Sequence, residues 1–243
     1  MNPLLILGWW CQTTWDFAII ISLVVASAQL PVQAQTSDEL QHVLSRMDQT
    51  AANFRTTQAN FEWDQYQKVV DEHDKQKGTV YFRRAGNEVQ MVADINDPQP
   101  PKYVLFTDSK VEVYRPKIDE LTRFNTGKDR AAFESFLVLG FGGSGRDMLK
   151  SFEVKYLETE KVDGVDAAKL ELVPRSPKVR NTFDHIWLWI DPARGVSVQQ
   201  QLFEPSGDYR LAKYSDIQLN QRIPDTVFKL KTTGKTKIVS PQG

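Results

Sequence analysis

The run Gly140-Phe141-Gly142-Gly143-Ser144-Gly145 holds the most chemical promise in the chain, because bare backbone N–H groups in such a stretch can cradle an anion. The residues around it undo that reading. A phosphate loop needs Lys and then Ser or Thr after its last glycine, and Arg146-Asp147 stands there instead. A dinucleotide-binding turn follows a strand, whereas this cluster follows a helical pattern. It reads as a joint between two helical segments, with Gly140, Gly142, Gly143 and Gly145 as its hinge.

Other catalytic constellations are equally thin. His42, His73 and His185 are scattered without H-x-x-x-H spacing, and the only cysteine is Cys11, so no metal-ligating cluster forms in sequence. No Gly-x-Ser-x-Gly elbow occurs for a serine nucleophile. The pairs Asp71-Glu72 and Asp119-Glu120 read as solvated loop charges, since catalytic carboxylates need separate burial to split their pKa values. The chain therefore reads as a non-enzyme without a cofactor.

One charged pair stands out for its setting. Arg83-Arg84 lies inside the apolar strand pattern TVYFRRAG, residues 79–86. Alternation puts Arg84 on the face of Val80 and Phe82, and Arg83 with Tyr81 on the other. An inward arginine must find acceptors, because an unpaired buried charge is expensive. Helix carbonyls in a covering lid would supply them.

The elements that must position these groups are mostly strands. Residues 36–54 read as an amphipathic helix, with Leu40, Val43, Leu44 and Met47 on one stripe and Thr36 with Glu39 as a capping box. Short β-rich runs follow at 59–70, 78–84, 88–94, 103–107 and 111–114, then at 152–159, 167–173, 185–191, 196–203 and 209–219. Turn signals such as Asp163-Gly164 and Ser206-Gly207 separate them, which predicts antiparallel hairpins. About ten strands in series imply a curved meander or incomplete barrel, mainly β with few helices. Helical segments at 129–139 and 144–151 carry too many apolar residues for a solvated connection and are expected to cover the concave face as a lid.

Aromatic and aliphatic residues then line that face. Trp63, Val80, Phe82, Phe106, Trp187 and Trp189 come from the strands, and Phe133, Phe136 and Leu137 from the lid. A curved sheet under mobile helices offers more apolar surface than tight packing needs, which permits an internal cavity for an acyl chain.

Residues 17–34 set the expected compartment. The apolar run from Phe17 to Ala28 is too short to span a bilayer, and Val32-Gln33-Ala34 fits a small-x-small cleavage site, although no Lys or Arg precedes Arg46. Cys11 follows Trp10, where a lipid-anchor site needs a small residue. Cleavage after Ala34 would leave ~210 residues, enough for one domain with a sizeable core. With 30 Lys and Arg against 31 Asp and Glu, the charge balance disfavours a nucleic-acid or anionic-membrane binder.

In the order and spacing of GTVYFRRAG, VLFTDSKVEVYRP, IWLWIDPARG, QQQLFEPSGDY and IPDTVFKL, the chain resembles the LolA family of periplasmic lipoprotein carriers. Ala85 and Ser109 depart from the proline and glycine common there. The resemblance implies a half-barrel closed by helices, of the LolA/LolB kind, whose cavity receives lipoprotein acyl chains. It implies a monomeric periplasmic carrier that takes cargo from a LolCDE-like inner-membrane ABC transporter and passes it to a LolB-like outer-membrane acceptor. It also implies that Arg84 latches the lid through backbone carbonyls. A carrier of another lipid, such as a glycolipid or hopanoid-like molecule, or an envelope module that senses lipoproteins, stays open as an alternative. Mass analysis of the exported protein should find Gln35 at its N-terminus; a retained apolar leader or a diacylated Cys11 would overturn that assignment.

Overall fold

The computed structural model describes residues 32–86, 88–107, 110–125 and 139–240. The expected helix at 129–139 therefore falls outside the described residues except for Leu139, as do Phe133, Phe136, Leu137 and the Asp108-Ser109 turn. Helix α1 spans Val32–Asn53. It begins ahead of the predicted cap at Thr36, because Gln33, Ala34 and Gln35 carry no helix-breaking residue and the helix runs on through the threonine. Its stripe of Val43, Leu44 and Met47 is buried, as the spacing requires.

Strands β1 (Thr56–Gln67), β2 (Glu72–Ala85), β3 (Glu88–Asp97), β4 (Lys102–Thr107), β5 (Lys110–Arg115) and β6 (Glu120–Asn125) form a meander. A short helix α2 (Gly145–Ser151) precedes β7 (Phe152–Val162) and β8 (Val165–Pro174); helix α3 (Pro177–Arg180) then leads to β9 (His185–Asp191), β10 (Val196–Phe203), β11 (Tyr209–Leu219) and β12 (Lys237–Val239). All twelve belong to one sheet in the order β12-β6-β5-β4-β3-β2-β1-β11-β10-β9-β8-β7. The sheet is antiparallel except where β12 joins β6, and its two edges do not meet. The half-barrel is thus open.

All ten strands expected from sequence are present, β9, β10 and β11 with the expected bounds and the others with shifted ends; β6 and β12 are additions. The Asp163-Gly164 hairpin has φ of 46° and 86° at its two central residues, the geometry that favours Asp-Gly in two-residue turns. Register breaks at Gln58/Asn60, Lys77/Gly78, Tyr156/Glu158 and Ser197/Gln199 supply bulges, which bend strands and sharpen the sheet's twist.

Two apolar clusters fill the concave side. Under α1, Val43, Leu44 and Met47 pack on Leu170, Leu172, Ile186, Leu188 and Ile190. Beside it, Phe54, Phe61, Val80, Phe82, Phe106 and Phe141 form a second cluster. The segment after β11 crosses the outer face, where Phe228 packs with Val92 and Leu105. Among the described residues no helix is long and apolar enough to cross a membrane. Leu188→Ala, which empties a fully buried site beneath α1, should cost about 2–5 kcal/mol. Urea unfolding should show this as a lowered midpoint at unchanged slope.

Candidate functional site

The concave surface of β1, β2 and β3 on one side, and β10 and β11 on the other, borders a cavity of about 400 Å³ that is half open to solvent. That volume lies within the ~300–1,000 Å³ of small-molecule sites. Trp63, Val80, Phe82, Met91, Leu202 and Tyr214 supply its apolar wall, while Asp64, Asp74, Gln76 and Arg210 line its polar part. The register explains the gradient. Val80 pairs with Ala59, Gln76 with Trp63 and Asp74 with Gln65, so the lining turns polar along β1 and β2 toward their connecting turn. Tyr214 is half-buried, and desolvation of its hydroxyl pushes its pKa far up, so it stays protonated in the ordinary pH range.

A turn at residues 139–142, leading into α2, covers one end of this surface. Phe141 is fully buried; its ring stacks on Phe82 at 5.0 Å and meets Tyr214 edge-on at 4.8 Å. Donors from β2 and from β10, on either side of the β1–β11 pair, catch the turn's carbonyls. The Gln200 Nε2 donates to the Leu139 carbonyl at 2.6 Å, the Ser197 backbone N–H to Gly140 at 3.0 Å, and the Arg84 Nη2 to Gly142 at 3.1 Å. Arg84 also reaches the Phe54 carbonyl through Nε at 3.4 Å, which joins the end of α1 to the turn. Further along, Arg146 pairs with Asp48 of α1 at 2.9 Å, and Ser144 caps α2 by accepting from the Asp147 N–H.

The parity expected of the arginines holds in the structure. Arg84 shares the inner face with Val80 and Phe82, whereas Arg83 points outward to Gln90 and Asp225 and lies 4.0 Å from the Phe228 ring centroid. The Arg84 guanidinium, however, is exposed, so its bonds are those of a surface charge and not of a buried one. Of the expected cavity residues, Trp63, Val80 and Phe82 line the cavity, and Phe106 lies in the same core cluster.

Trp187 and Trp189 require correction. Ile186, Leu188 and Ile190 take the inner face beneath α1, so alternation sends both tryptophans to the outer face. There they flank Lys169 at 4.4 and 5.1 Å, and the Trp189 indole N–H donates to Glu160. The glycines have a packing reason of their own. Gly140 and Gly142 sit at φ of 79° and 85°, and an added Cβ would lie 2.1 Å from Ser197 and 2.5 Å from Phe54. At Gly145 a Cβ would meet the Leu44 carbonyl at 2.7 Å, and Gly143 lies half-buried between them. Sequence reasoning missed Gln200 and Ser197. Their only signal was a glutamine run in a strand that is otherwise apolar on its inner face.

Among the described residues no group of three or more His, Cys, Asp or Glu is placed to hold a metal ion. The fold and site define a helix-covered, open antiparallel half-barrel with an apolar cavity. No family model matches the sequence, and no curated protein does. Solved structures are similar to it in fold. An uncharacterized conserved protein from Thermus thermophilus superposes with a TM-score of 0.53 at 11% identity, over 84% of this chain and 99% of that one. MucB gives a TM-score of 0.49 at 13% identity, over 84% of this chain and 64% of its own length. A LolA superfamily protein from Nitrosomonas europaea gives 0.39 at 16% identity, over 79% and 97%.

Gly140→Ala and Gly164→Ala share the strain of a positive φ, about 1–3 kcal/mol, but only the first meets a neighbour, Ser197. Thermal unfolding should therefore show the Gly140 variant as clearly the less stable of the two.

Proposed function

We propose that the protein is a periplasmic carrier that holds the acyl chains of lipoproteins in this cavity and ferries them from the inner to the outer membrane. The observation that carries the reading is the apolar cavity beside a turn held to the sheet by hydrogen bonds from Arg84, Ser197 and Gln200. Each methylene buried there stabilises the complex by about 0.8 kcal/mol, so a short stretch of chain suffices for binding. The polar lining of Asp64, Asp74, Gln76 and Arg210 suits a cargo whose head stays in water. A carrier must also let go, and reversible polar contacts allow that.

Arg84 serves as the outer latch in this scheme. Its bond to Gly142 is exposed and its bond to Phe54 partly buried, each worth about 0.5–1.5 kcal/mol, enough to bias closure without locking it. Opening separates the turn from the sheet, with the glycine joint supplying backbone freedom once Phe141 leaves its pocket. The partners are those of a shuttle: a LolCDE-like transporter as donor and a LolB-like protein as acceptor.

Native mass spectrometry of protein gently released from the periplasm should find bound acylated cargo. A glycolipid instead would redirect the cargo assignment, and purely empty protein would count against the carrier. Arg84→Leu keeps bulk but loses the donors. It should retain acyl cargo at least as well as the wild type and release it to an acceptor several-fold more slowly, because closure no longer opposes occupancy. Arg83→Leu, which loosens Asp225 and Phe228 on the outer face, should lower stability and leave transfer close to normal. Equal transfer defects in the two variants would place the latch elsewhere.

A further inference from the structure

The three donors that hold the turn differ in what a ligand can do to them. Ser197 uses its backbone N–H, fixed by the strand, and is fully buried. Arg84 is exposed and does not line the cavity. Gln200 alone among the described residues both lines the cavity and bonds a carbonyl of the turn. It is 7% exposed, and its 2.6 Å bond to Leu139 is the shortest of the three. Its side chain has rotamers to choose from, whereas a strand N–H has none.

The setting of Gln200 makes that bond conditional. Across β11 it pairs with Ala212, and Leu202 lies two residues on along its own face, so its amide sits in an apolar wall. A primary amide in such a wall is stable only while bonded. In the closed state the Leu139 carbonyl meets that need. A chain filling the space between Leu202, Ala212 and Tyr214 lies against the same side chain. We propose that Gln200 is the group through which occupancy acts on closure: an acyl chain in the cavity displaces its amide from the Leu139 carbonyl, so that occupancy and this bond exclude each other. This rests on the carrier reading above.

Mutual exclusion fixes the sign of the coupling. If the ligand must break the bond to bind, removing the bond in advance makes binding tighter; if Gln200 instead grips the ligand, removing it makes binding weaker. Gln200→Met has similar length and no donor. Gln200→Asn keeps the amide but is one methylene too short to reach Leu139, and it carries the test should the methionine variant fold poorly. Palmitic acid, kept below its solubility limit, serves as the probe and is titrated by calorimetry into the full chain.

Both variants should bind palmitate about five- to tenfold more tightly than the wild type, the equivalent of one buried hydrogen bond no longer opposing binding. In the wild type, saturating palmitate should speed amide exchange at residues 139–142; in the variants these amides should exchange fast from the start and change little. Equal or weaker binding by the variants, or wild-type exchange that palmitate leaves unchanged or slows, overturns the role of Gln200 while the carrier reading stands. Wild-type protein that binds no palmitate overturns both.

Discussion

The pairing of β1 with β11 is the contact on which the rest of the molecule depends. It runs from Thr57 opposite Leu219 to Tyr66 opposite Tyr209 and joins a meander built from β1–β6 to one built from β7–β11. Each meander alone is a sheet with one apolar face to hide. Joined at this seam they share one concave surface, and the cavity straddles it, drawing Trp63 and Val80 from one side and Leu202 and Tyr214 from the other. The seam also brings Arg84 and Gln200, from strands on opposite sides of it, to carbonyls of one turn.

Much of this was legible in the sequence because sheets write with a period of two. The alternation that separates Arg83 from Arg84 is local, and no distant contact reverses it. Trp187 and Trp189 were misplaced by the same rule applied incompletely. Their hydrophobicity pointed inward, but Ile186, Leu188 and Ile190 between and beside them already claim the inner face, and a strand cannot send neighbours both ways. Aromatic bulk on the outer face is tolerated because Lys169 covers it with its stem and charge.

The unread parts are those whose cause is distant. Strand β6 is six residues of mixed polarity, and β12 is three, whose pairing with Glu120–Thr122 is set by the path of the chain over the outer face. Gln200 carries no local sign of its partner, since the Leu139 carbonyl that it holds is sixty-one positions away in sequence. The glycines were read for freedom, and the structure adds a second demand, close approach to Ser197, Phe54 and Leu44. A residue type chosen for one reason is thereby held by another.

The seam also dictates an order of assembly. While the polypeptide is being made, β1 through β6 can zip up hairpin by hairpin as they emerge, because every partner is a sequence neighbour. The other edge of β1 must wait for Tyr209–Leu219. Until then the folding intermediate presents a bare strand flank with Phe61 and Trp63 uncovered, the kind of surface that templates aggregation. The polar outer residues of β1, Asn60 and Glu62 among them, then act as guards of an unfinished product, and the step that retires that hazard is the arrival of β11.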